Sequence, residues 1–365
     1  MVLRIRISPG KRCADEEDIC HNRWHPELKP IAEISPGDEV TIETRDALDG
    51  QIKNTPGADD VASIDASVVH PLTGPISVRS AKPGDLLVVK ILDGGPISDF
   101  GYTFVARGFG FLREVFDRPY KVRWELGRYY ASSPELPGVR IPAAPFPGVI
   151  GVAPSREILT RSRSREEAIA LKGGLVLPPD PRGAVPSREP IASEGLRTLP
   201  PRENGGNLDV RNLAPGSEIF FPVFVDGALL SVGDMHYAQG DGEVSVTAIE
   251  MAGYVRLSVT LIREGARRYN IKRPIYRPSP QADSYRDYIC VAGLNLESGE
   301  DATSAARDAL LNMIDFLESR GYDRYKAYIL FSIAGFLRLS QVVDVPVYTV
   351  SACIPREVFI GASID

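Results

Sequence analysis

Histidine is scarce in this 365-residue chain: there are four, alongside four cysteines, four methionines and two tryptophans. Each shortage closes off a class of chemistry. The cysteines include no Cys-x-x-Cys pair, which excludes the common zinc-ribbon and thioredoxin-type arrangements. The few histidines form no His-Glu-x-x-His, and there is neither a Gly-x-Ser-x-Gly elbow nor a phosphate-binding loop. No apolar run approaches the roughly 20 residues needed to span a bilayer. The formal net charge of -6 gives nucleic acid no electrostatic foothold. Residues Met1 to Arg6 alternate like a strand and lack the apolar stretch of a secretory leader, so a cytoplasmic protein is expected.

What is present is an ordinary globular balance, 43% apolar and 25% charged, in a chain long enough for two subdomains. The first half is built from short β-branched runs separated by Pro-Gly turns. Ile31 to Ser35 leads through Pro36-Gly37-Asp38 into Val40 to Thr44, and Pro75 to Val78 leads through Pro83-Gly84-Asp85 into Leu86 to Ile91. Such units predict a sandwich or barrel. Residues 154–206 read as a long Pro-, Arg- and Ser-rich excursion of the kind that forms lids, binding loops or linkers. The expected division is an N-terminal β-rich subdomain over 1–195 and a C-terminal α+β subdomain over 196–365. In the latter, Ile219 to Val225, Leu229 to Val232 and Val244 to Glu250 read as strands, and helical spacing predicts helices over 303–319 and 324–336. The fold class is therefore α+β and predominantly β, with a C-terminal α/β portion.

Four polar clusters could carry chemistry. The densest runs from Ser231 to Glu243. With a hairpin turn centred on Gln239-Gly240, His236 lies opposite Glu243, and Asp234, His236 and Glu243 share a face. Glu250 joins that face only if the register moves by one. A solvated turn with His236 satisfied by Asp234 is the equal alternative. The other clusters are Arg45 to Gln51, Val69 to Pro75 around His70, and Arg202 to Asp209 with its paired glycines. Cys13 and Cys20, near His21 and His25, could hold a small zinc site, although their spacing is uncommon for one. Cys290 and Cys353 sit in apolar runs and read as buried structural thiols.

These segments resemble the acetamidase/formamidase family. The resemblance is carried by His21-Asn22-Arg23-Trp24, Glu43-Thr44-Arg45-Asp46 with Gly50-Gln51-Ile52, His70 to Pro75, Ala81 to Asp85, Gly148 to Pro154, Asn204 to Asp209, Ser231 to Glu250 and Ser340 to Asp344. It covers most of the chain in order. Two positions depart from the family pattern: Pro147, where a histidine is expected, and Gly335, where an acidic residue is common. The resemblance implies hydrolysis of small aliphatic amides with release of ammonia, by a homo-oligomer acting on a small-molecule amide, with no nucleic-acid or membrane partner. The expected apparatus is a divalent metal, zinc, held by Asp46, His70 and His236, with Asp234 as fourth ligand or orienter. Glu243 or Glu250 would move the water's proton, and Asn207, Asp209 and Gln51 would position the substrate. A binding protein for small amides or urea on the same scaffold is the alternative. A cupin-like metal enzyme fits less well, since only His236 lies in a suitable strand.

Overall fold

A computed structural model describes residues 2–280 and 287–360. The Pro-Gly turns act as expected: Gly37 and Gly84 take left-handed φ values of 96° and 101°, which glycine adopts without penalty. They feed the strands Glu39–Thr44 and Leu86–Val105. The latter, 20 residues long, pairs antiparallel with Glu250–Ile262 and, at its far end, with Tyr120–Leu126. Together these belong to a 15-stranded, branched sheet. Its main path runs from Ile141–Pro142 through Leu86–Val105, Glu250–Ile262, Leu230–His236 and Phe146–Gly151 to Gly205–Asn207, and no barrel closes among the described residues. Strands from either side of residue 195 pair directly, as Leu72–Val78 does with Leu230–His236. The inward faces bury Ile42, Leu87, Val89, Phe221, Val232, Met251 and Leu257 in one continuous core.

The C-terminal portion matches the helical spacing closely. Helices Ala302–Ser319 and Arg324–Ala334 begin at Asp301 and Asp323, whose carboxylates accept the first free amides. The first packs on a three-stranded sheet of Tyr288–Leu294, Thr349–Pro355 and Phe336–Gln341. Gly293 permits this approach, because a Cβ there would collide with the backbone of Ala305 and Ala309. No helix among the described residues is long and apolar enough to cross a membrane.

Three expectations are corrected. Residues 154–206 are not one open excursion, since Arg156–Leu171 is a helix capped by Ser155. It buries only Ile158, Leu159 and Ser162, so its arginines and glutamates hide the apolar stripe. Cys13 and Cys20 form a disulfide rather than a zinc site, and so do Cys290 and Cys353, which stand opposite each other across two strands. His21 and His25 point elsewhere: His21 Nε2 lies 2.8 Å from Ser231 Oγ and its Nδ1 2.8 Å from Arg23 O, while His25 contacts Glu194 and the Glu27 amide.

His21 carries a consequence for stability. Burial pushes its pKa from 6.5 down to about 4, against the smaller opposing effect of the Arg23 carbonyl. Between those values the unfolded chain binds more protons than the native one, so stability falls as pH drops from 6.5 towards 4. The shift corresponds to about 3 kcal/mol. In His21→Gln the acid limb of a stability-versus-pH curve, read from urea midpoints, is expected to flatten by that amount. An unchanged slope would show that His21 does not titrate this way.

Candidate active site

The strand Leu230–His236 is buried along its whole length, and its alternate terminal residues Asp234 and His236 are delivered together. Asp234 sits at φ 54°, a left-handed turn that aspartate tolerates better than most residues. On one flank His236 pairs with Phe146, whose ring meets the imidazole edge-on at 5.1 Å. On the other it pairs directly with Glu250. His236 Nε2 consequently lies 3.3 Å from Asp234 Oδ1, 3.3 Å from Glu250 Oε2 and 4.0 Å from Glu243 Oε1.

Asp209 arrives from another direction. Gly205–Asn207 pairs with Phe146–Gly151, and just beyond it the Leu208 and Asp209 amides donate to Gly148 O at 3.0 and 3.3 Å. Gln239 locks the arrangement. Its Nε2 donates to Asp209 O at 2.7 Å, which turns its Oε1 to His236 Nδ1 at 2.9 Å. Nδ1 is therefore the protonated donor, and Nε2 is left facing the carboxylates.

The electrostatics are lopsided. Burial raises Glu250 to about 8 and Asp209 to about 7, and burial together with Asp209 raises Glu243. Burial acts the same way on Asp234, but His236 and His70 overcome it and hold that carboxyl below the usual range. Burial opposes a charge on His236, yet Glu250 and Asp234 raise its pKa well above the imidazole norm. One imidazole against four carboxylates in a shielded pocket is a costly balance that a cation would relieve.

The residues fit a divalent ion. His70 Nδ1, Asn207 Oδ1, Asp209 Oδ1, Asp234 Oδ1, His236 Nε2 and Glu250 Oε2 are all buried without a hydrogen-bond partner, and all of these residues except His236 line one cavity. A single proton on Nε2 can satisfy one carboxylate, not three. The ligand atoms of Asp209, Asp234 and His236, and separately of His236, Glu243 and Glu250, lie within 4.8 Å of one another. Tetrahedral ligands about 2.1 Å from zinc stand about 3.4 Å apart, close to the two 3.3 Å separations at Nε2.

The predicted residues are thus mostly assembled, by a different local structure. The expected hairpin register, His236 opposite Glu243, is replaced by His236 opposite Glu250. The strand predicted over 244–250 is a loop up to Ile249. Its polar backbone is met by the second helix: Gly240 N donates to Ser332 O, Asp241 N to Gly335 O and Ser245 N to Ser332 Oγ. Glu243 reaches the site from that loop at φ 44°. His70 lines the same cavity, its amide held by Thr198 Oγ1 at 2.6 Å. Asp46 does not join the cluster directly. Its carboxylate accepts from Tyr102 Oη at 2.6 Å and from the Leu48 and Gly50 amides, and Tyr102 is the sheet neighbour of Glu250. Gln51 is turned away, its amide paired with the Asp65 backbone. Of the two departures, Pro147 lies opposite Met235 in the sheet, and a Cβ on Gly335 would strike the Phe331 ring at 2.5 Å. Sequence reasoning missed Gln239, although it stands three residues after His236, and Gly148, whose signal lay in a quoted family segment.

Residues 6–361 match the acetamidase/formamidase family. The chain is 39% identical to a formamidase of Methylophilus methylotrophus, over 97% of this chain and 93% of that one. It is 38% identical to an acetamidase of Mycolicibacterium smegmatis, over 89% and 87%. In structure it is similar to a gamma lactamase from Delftia acidovorans, with a TM-score of 0.95 and 39% identity, covering 100% of this chain and 95% of the other. This chain belongs to the acetamidase/formamidase family.

Proposed function

We propose that this protein hydrolyses small aliphatic amides to the carboxylic acid and ammonia, with a divalent cation, zinc, held by His236 Nε2, Asp234 and Glu250 and completed by His70. The observation that carries the reading is that Asp209, Asp234, His236 and Glu250 bury polar atoms without partners, while their ligand atoms, with those of Glu243, gather within 4.8 Å of one another in two sets that share His236. A bound cation supplies Lewis-acid polarisation of the amide carbonyl and of a water molecule. The protein's own groups do the rest. Asn207 Oδ1 accepts an N–H of the substrate amide and orients it. Glu243, which at 4.0 Å stands farther from Nε2 than Asp234 or Glu250, takes a proton from the water as the water oxygen adds to the carbonyl carbon. It returns that proton to the nitrogen as the C–N bond breaks and ammonia leaves. Asp209 raises the pKa of Glu243, whereas the Glu243 hydrogen bond lowers that of Asp209, which favours one proton held on Glu243 and shared towards Asp209. Asp46 acts through Tyr102 on the placement of Glu250.

A homo-oligomer is supported by exposed apolar side chains at one end of the small sheet, Leu296, Leu339, Val343 and Val345 among them. A cytoplasmic location requires both disulfides to persist in a reducing compartment, which thiol titration of protein from gently lysed cells would check. The activity is tested by following ammonia release from formamide and acetamide with and without chelator, alongside metal analysis. About one divalent ion per chain and chelator-sensitive turnover are expected. Full turnover by metal-free protein would end the cation reading, and amide binding without ammonia would favour a binding protein.

A further inference from the structure

The cavity above the polar cluster is far larger than the reaction on a small amide requires. It measures about 870 Å³, the size that accommodates a drug-sized ligand, whereas formamide has three non-hydrogen atoms. Its layers are distinct. The acidic residues and His70 form the floor, and the charged residues Arg107, Asp117 and Arg118 sit at the exposed mouth. Between them the wall is apolar, and its main side chains are Leu48, Val61, Val69, Phe104, Leu199 and Val246.

That wall is built, not incidental. Leu48, Val61, Val69 and Phe104 belong to a small apolar cluster separate from the main core, with Leu199 and Val246 packed against it. Side chains braced by their own cluster hold a fixed shape. Val246 is held at φ 97°, an outlier for a β-branched residue, and it lines the cavity. Thr247 anchors this stretch, its Oγ1 accepting from Phe104 N at 2.8 Å and donating to Phe104 O at 3.2 Å. Backbone strain kept at a ligand-facing wall is a selected feature in other sites.

We infer that the enzyme acts on primary amides whose acyl group is a bulky apolar body, of alkyl chains near six carbons or an aryl ring, and prefers them to formamide and acetamide. This rests on the amidase reading of the floor and names the substrate class that floor serves. The carboxamide reaches Asn207 and the acidic cluster while the acyl body displaces water from the apolar wall. Each methylene so buried contributes about a fourfold gain in kcat/KM.

The experiment measures ammonia release from the holoenzyme on formamide, acetamide, butyramide, hexanamide and benzamide. From acetamide to hexanamide kcat/KM is expected to rise by roughly two-hundredfold, at about fourfold per methylene. A profile that is flat or falls with chain length would overturn the inference while leaving the amidase reading intact, because the wall would then merely exclude water around a small amide. No ammonia from any substrate would instead remove the amidase reading itself. The cavity-filling variants Ala106→Trp and Leu199→Phe place bulk in the wall away from the floor. Each is expected to cut the hexanamide-to-acetamide ratio by at least tenfold, and an unchanged ratio in both counts against the inference.

Discussion

Glu250→Gln is expected to reduce ammonia release by about a thousandfold, within the range typical of a lost acid, base or ligand group, while making the metal-free protein more stable. Glutamine preserves the shape and can still accept the Ala248 amide, which donates to Glu250 Oε1 at 3.0 Å. What it removes is a negative charge 3.3 Å from His236 Nε2, in a pocket already crowded by Asp209, Asp234 and Glu243. In the metal-free state that charge has too little compensation, so burial raises its pKa to about 8. Folding at neutral pH then obliges the carboxyl to take up a proton, a cost that glutamine does not carry. In the loaded enzyme the same charge holds the cation and is needed. Activity and stability should therefore move in opposite directions, as they do where a site is kept for function against folding. The paired measurement is kcat/KM for acetamide and the melting temperature in chelator. A variant both inactive and less stable without metal would mean that Glu250 is a structural carboxylate.

How far this site was readable beforehand depends on the range of the interactions that make it. Asp234 and His236 were readable because a strand's period of two is local, and those residues are two apart. The register was not. Val244, Val246 and Thr247 have strand propensity, yet this stretch is a loop in which the Ser332 hydroxyl, 87 residues beyond Ser245, accepts the Ser245 amide and donates to Thr247 O. Tertiary partners outweighed β-propensity. The same holds for the cysteines. Cys290 and Cys353 are 63 residues apart, and only the strand pairing brings them opposite. Asp46 and Gln51 come from a segment with a family-like pattern, but their side chains are spent on Tyr102, the Leu48 and Gly50 amides and the Asp65 backbone. Polar composition identified the segment, and composition alone carries no direction. The C-terminal helices were legible to within about two residues because caps and 3.6-residue spacing are both local signals. The helix Arg156–Leu171 was not, since its buried stripe is three residues wide.

Gly148→Ala tests the arrangement with a single methyl group. Gly148 does not sit at a positive φ, so backbone freedom is not the reason for glycine here. Space is. A Cβ at this position would lie 2.6 Å from Asp209 Oδ1, 2.7 Å from Asp234 Oδ2 and 2.7 Å from His236 Cε1. None of these neighbours can give way cheaply. His236 is fixed by Gln239 and the Phe146 ring, and Asp209 is fixed by amide donation to Gly148 O itself. The methyl would enter the space where the carboxylates and the imidazole converge. A displacement of about 1 Å at such a centre is enough to cost about a hundredfold in rate, and loss of one ligand from the set costs more. The expected result is a fall of at least a hundredfold in kcat/KM together with a fraction of bound divalent ion well below one per chain, in a protein whose far-ultraviolet circular dichroism is unchanged. Full metal occupancy and near-normal turnover in Gly148→Ala would mean that the cation does not depend on the placement of Asp234 and His236, because the methyl presses on both of those side chains as well as on Asp209.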